Sequence, residues 1–68
     1  MIKAKLSYGF PVNTDYFKAN AHDSIYDKMM VATDGDHEIS CDAASWCELA
    51  VVGEKYEFRE GIIEIVND

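Results

Sequence analysis

The chain has 68 residues, of which 49% are hydrophobic, and a formal charge of −7 from 13 acids against six bases. This length holds one domain, and a chain so short buries only about 60% of the surface its unfolded form exposes. Its apolar content excludes a disordered tail, its two cysteines are too few for a secreted disulfide scaffold, and no apolar run reaches the roughly 18 residues of a membrane span.

The opening stretch "MIKAKLSYGF" lacks the apolar core and small-residue cleavage site of a signal peptide, so a reducing cytoplasm is the expected setting. Residues 2–8, "IKAKLSY", alternate Ile2, Ala4, Leu6 and Tyr8 with Lys3, Lys5 and Ser7. That period of two predicts a half-buried strand, with the lysines of an edge on one face. Gly9, Phe10 and Pro11 end it. The stretch from residue 12 to 24, "VNTDYFKANAHDS", predicts a loop with at most one helical turn capped by Thr14.

Residues 25–33 and 37–41 flank Asp34-Gly35-Asp36, a strong hairpin signal. A three-residue loop sets Val31 opposite Ile39 and Met29 opposite Cys41, and this register is preferred because it gathers apolar side chains on one face. A helix follows, capped by Ser40 or Asp42 and stopped by Gly53. At 100° per residue Ala43, Trp46, Cys47, Ala50 and Val51 form one stripe, with Ser45 and Glu48 opposite. Leu49 and Val52 fall outside the stripe and are read as apolar residues facing a partner if the helix does not fray.

The closing segments "EKYEFR" and "IIEIV" flank Glu60-Gly61, read as a two-residue hairpin loop. Tyr56 then opposes Ile65, Phe58 opposes Ile63, and Glu57 opposes Glu64. Like charges in that position destabilise a sheet by a few tenths to about 1 kcal/mol. Lys55 and Arg59 offer neutralising neighbours; otherwise the outer face of this hairpin is shaped for a cationic partner. The order strand, loop, strand, strand, helix, strand, strand predicts an α+β domain with one helix packed on a mainly antiparallel sheet of four to five strands.

Chemistry is sparse. Cys41 with His37 or His22 is the available nucleophile and base, but the register turns Cys41 inward and no closed catalytic constellation accompanies it. Cys41 and Cys47 have the wrong spacing for a zinc knuckle, and the Asp34, Asp36, Glu38 alternation lacks the glycine and terminal glutamate of a calcium loop. No glycine-rich phosphate cradle occurs. The expectation is a protein that is not an enzyme and uses no cofactor or metal. Trp46, Tyr56 and Tyr8 are expected in the core, and Tyr16 and Tyr26 at the surface.

Charge is the stronger signal. Residues 1–31 hold four lysines against three aspartates, whereas from Ala32 onward ten acids face Lys55 and Arg59. Such a negative field repels nucleic acid and anionic membranes and attracts basic protein surfaces. Asp34, Asp36, Glu38, Glu48, Leu49, Glu57 and Glu64 are the expected partner-binding residues. In an extended strand, alternate acids stand about 6.6 Å apart on one face, a spacing that imitates phosphates.

In size, acidity and its closing "WCELAVVGEKYEFREGIIEI", the chain resembles the small orphan proteins of phages and prophages, a group that includes the anti-CRISPR inhibitors. The resemblance implies direct binding to a basic, nucleic-acid-processing effector in the cytoplasm of an infected bacterium, with no cofactor and no direct contact with nucleic acid. It carries over no residue roles. The alternative is a small homodimer or assembly protein in which Leu49, Val52, Ile62 and Val66 bury one another across a two-fold axis.

Overall fold

The alternation in residues 2–8 forms a strand, but an inner one paired on both sides and not the edge that its lysines suggested. The computed structural model describes residues 2–67 and places β1 at Ile2–Tyr8, β2 at Asn13–Lys18, α1 at His22–Ala32, α2 at His37–Leu49, β3 at Lys55–Phe58 and β4 at Gly61–Asn67. The sheet order is β2-β1-β4-β3, with every neighbouring pair antiparallel. Both helices cover one face of this sheet. The buried core joins Ala4, Leu6, Ile63 and Ile65 from the sheet to Ile25, Met29, Ala43, Ala44 and Cys47 from the helices.

The α+β class and an antiparallel sheet of four strands, within the expected four to five, are as expected, but the element order differs and two helices replace the one. The stretch from residue 12 to 24, read as a loop, contains edge strand β2 and the start of α1. In β2 the inward positions are Asp15 and Phe17, opposite Leu6 and Ala4. An inward carboxylate hides the period-two pattern and also blunts an exposed sheet edge. Asp15 is held there by Lys28 of α1, with Nζ 3.1 Å from Oδ2.

The hairpin expected around Asp34-Gly35-Asp36 is a helix–helix link. Ile25, Met29 and Ala32, spaced four and three apart, turn one buried stripe of α1 to the core. Asp34 and Gly35 take φ values of 57° and 93°. Their amides reach back to Val31 O at 3.3 Å and Met30 O at 2.8 Å, which is a Schellman closure of α1. A type I′ hairpin turn makes the same demand for consecutive left-handed residues. Asp-Gly therefore signals either link, and the apolar period on each side decides between them.

α2 starts at Asp36, not at Ser40 or Asp42. The Asp36 carboxylate accepts the Ile39 amide at 3.0 Å. Thr33 Oγ1 accepts the Asp36 amide at 3.1 Å and donates to Met29 O at 2.7 Å. These bonds tie the link to the end of α1 and the start of α2. The expected stripe survives on α2: Ala43 and Cys47 are buried, Trp46 and Ala50 pack against the core, and Ser45 and Glu48 are exposed. The helix ends at Leu49, before Gly53, which leaves Val51 exposed.

In the last hairpin the faces are as expected but the pairing is shifted by two residues. Tyr56 opposes Ile63, Glu57 opposes Ile62, Phe58 opposes Gly61 and Lys55 opposes Glu64. Gly61 is a ladder residue opposite Tyr8 and not part of the turn. A Cβ there would come within 2.0 Å of Ser7 O, so only glycine lets β4 approach β1 this closely. The turn falls on Arg59-Glu60, and the facing glutamates anticipated from the sequence are apart.

Candidate docking surface

Charge separates by layer. Residues 20–54, the helices and their links, carry Asp23, Asp27, Asp34, Asp36, Glu38, Asp42, Glu48 and Glu54 against Lys28, a net of −7. The arms that build the sheet, residues 2–19 and 55–67, carry five bases (Lys3, Lys5, Lys18, Lys55 and Arg59) against Asp15, Glu57, Glu60 and Glu64, a net of +1. Lys28 is occupied by Asp15, and its amine lies 5.7 Å from the Tyr8 ring centroid. Hydrogen bonds to Asp15 and then to Tyr8 raise the Lys28 pKa above its ordinary value.

The outward side of the helical layer carries this charge in rows. Asp23 and Asp27 are one turn apart on α1, as are Glu38 and Asp42 on α2, and all four are exposed. Carboxylates at positions i and i+4 of a helix rise about 6 Å apart. Leu49, one turn beyond Ser45, ends the α2 row and is 87% exposed.

The open face of the sheet has a different character. Across the four strands, Tyr16, Lys5, Glu64 and Lys55 stand side by side, so Glu64 lies between two lysines. Lys18 opposes Lys3, and Glu57 opposes Ile62. None of the described residues on this face is fully buried.

The expected partner-binding residues therefore fall into two groups. Asp34, Asp36 and Glu38 lie at the helix–helix link and Glu48 and Leu49 at the far end of α2, all in the helical layer. Glu57 and Glu64 lie on the open face among lysines. The strand row imagined for Asp34, Asp36 and Glu38 does not exist, since Asp34 closes α1 and Asp36 caps α2. Asp23, Asp27 and Asp42 were missed. Reading the first two as part of a loop and a strand hid their i, i+4 spacing.

His37, four residues before Cys41 on α2, shares a 2.5 Å hydrogen bond through Nδ1 with Tyr26 Oη, which joins the two helices. Tyr26 is accordingly half-buried, whereas Tyr16 is exposed. The Trp46 and Tyr56 rings pack at 5.4 Å between centroids, tilted by 44°, and close the core on the β3 side. Burial pushes the Cys47 thiol up from 9.0 to about 11. Among the described residues no group of three or more His, Cys, Asp or Glu side chains converges to hold a metal ion. No helix of the described residues is long and apolar enough to cross a membrane.

Comparison with protein-family models, with curated proteins and with solved structures finds no match for this chain.

Proposed function

We propose that this protein is a non-catalytic binding module that docks its helical layer on a larger, basic protein and competes there with nucleic acid. The observation that carries this reading is the partition of charge: eight acids and a single, already paired lysine in the helical layer, against a near-neutral sheet. Two helices in contact pack about 8–10 Å apart. Their paired rows of carboxylates, about 6 Å apart along each helix, present negative charge at intervals a groove of Lys and Arg can meet. An inhibitor of a nucleic-acid-processing effector is the role that fits such a surface, in keeping with the resemblance to phage-encoded inhibitors.

The test is capture from a bacterial lysate on the immobilised protein, with and without competing DNA or RNA, at low and at high salt. A basic nucleic-acid-binding protein should be retained, displaced by nucleic acid and lost as salt rises. Asp27→Lys combined with Asp42→Lys should abolish capture, and Lys5→Glu should leave it intact. Capture that depends on Lys5 and ignores the helical acids would overturn the reading.

A further inference from the structure

Where α2 ends, the chain leaves a cleft. Its walls are Ile2, Lys18, Ala19, Asn20, Glu48 and Ala50, with the buried Cys47 at its floor, and its volume is about 440 Å³. Alanines at 19 and 50 leave this gap, because neither fills the space between the end of α2 and the link from β2 to α1. Four apolar side chains lie at the same end of the molecule: Leu49 is 87% exposed, Val51 62%, Val52 48% and Ile2 47%. Leu49 stands on the rim, between two residues that line the cleft.

We infer that this end is a two-fold interface between two copies of the chain. Leu49 of each copy covers the cleft of the other, and Lys18 of each meets Glu48 of the other. Three observations support a second copy as the occupant. The cleft carries one base and one acid on opposite sides, Lys18 on β2 and Glu48 on α2. A two-fold interface needs this self-complementarity, since residue i then meets residue j twice. Ile2 lines the cleft and Leu49 stands between two of its lining residues, so one partner can cover both apolar side chains there. Finally, the core is small: among the described residues, half of the ten buried hydrophobic ones are alanine or cysteine. Chains of this size commonly gain stability by association. The interface takes only Glu48 and Leu49 from the end of the helical layer and leaves Asp23, Asp27, Glu38 and Asp42, the acids of the docking rows, free.

Sedimentation velocity of the full chain, from micromolar to millimolar concentration, tests the inference. A monomer–dimer equilibrium is expected. It should tighten as salt rises, because each copy carries −7; docking on a basic partner should weaken. Leu49→Asp should weaken the dimer by at least about tenfold. Lys18→Glu and Glu48→Lys should each weaken it by roughly fivefold. An equimolar mixture of these two variants should form a heterodimer as tight as the parent, because both cross-axis pairs are then restored. Far-ultraviolet circular dichroism confirms that each variant is folded. A chain monomeric at millimolar concentration, or charge variants whose mixture is no tighter than either alone, overturns the two-fold arrangement.

Discussion

The two outer faces of this protein handle charge in opposite ways. On the open sheet face Glu64 has Lys5 and Lys55 as its cross-strand neighbours, while Lys3 stands opposite Lys18 at the β2 edge. On the helical layer, acids follow one another along each helix, and the one lysine turns to Asp15 of the sheet. Exposed cross-strand pairs of opposite charge stabilise a sheet modestly; like charges one helical turn apart cost a similar amount. Glu64 is thus flanked by opposite charge within the sheet, whereas Asp23 with Asp27 and Glu38 with Asp42 set like charges one turn apart on the helices. A division of the chain into a positive N-terminal and a negative C-terminal half obscures this, because α1 belongs to the first half and β3–β4 to the second.

The sharpest way to break the comparison is to disturb the sheet that carries both faces. Gly61→Ala places a methyl group 2.0 Å from Ser7 O and 2.8 Å from Tyr8 Cα, both backbone atoms of the central strand. The β1–β4 ladder must then separate, at a cost of more than about 3 kcal/mol. Gly53, with φ of 97° in the link after α2, has nothing within 4 Å of an added Cβ. Gly53→Ala pays only for the left-handed backbone, about 1 kcal/mol. Urea midpoints of the two variants measure the ratio. Equal losses would mean that the close approach at Gly61 is not what specifies the ladder.

The seam between the layers responds to alkaline pH. Burial raises the Cys47 thiol from 9.0 to about 11. Tyr56 is raised by burial and then by Asp42 and Asp36, and Lys28 by its bonds to Asp15 and Tyr8. Each folded pKa lies above its unfolded value, so the folded chain holds protons that the unfolded chain releases. Stability is then complete below pH 9 and falls as pH rises through 11, by roughly 2 kcal/mol from Cys47 alone. Urea midpoints at pH 8 and pH 11 show the fall, and Cys47→Ala should make it shallower. A midpoint unchanged over this range would place Cys47 outside the seam. The same burial makes Cys41 the faster thiol toward a labelling reagent.

β1, the face of each strand in the last hairpin and most of the α2 stripe were legible, because each is written as an uninterrupted period of two or 3.6 residues. The misreadings trace to residues with two physical uses. Asp34-Gly35 closes a helix with the same left-handed pair that turns a hairpin. Gly61, taken for a turn residue, is there to admit a neighbouring backbone. Asp15 breaks the alternation of β2 because its partner, Lys28, comes from a helix 13 residues away in sequence. The acidic surface proposed for docking was legible as a count of acids but not as a layer, since a layer depends on which elements share a face.

A smaller effect isolates the helical layer's link. Asp36→Ala removes the acceptor of the Ile39 amide at the start of α2 and should cost about 1 kcal/mol. Asp36→Asn, which keeps an acceptor, should recover most of it. A loss in circular dichroism confined to helix, with the sheet retained, would show the two layers unfolding separately; a single coincident transition is expected for a domain this small.

The smallest effects test the comparison by their sign. Glu64→Gln removes a carboxylate flanked by Lys5 and Lys55, and should destabilise by roughly 0.3–0.5 kcal/mol. Asp27→Asn removes a carboxylate one turn from Asp23, with no base at the next turn on the same side, and should stabilise by roughly 0.2–0.5 kcal/mol. Both changes delete one negative charge from the same chain, so a uniform field would make their effects equal. Local arrangement makes them opposite, and screening should shrink both toward zero as salt rises. Paired urea titrations at low and high salt read the difference. If both substitutions stabilise at low salt, net charge governs this protein, and the separation into a self-neutralising sheet face and a frustrated helical layer fails.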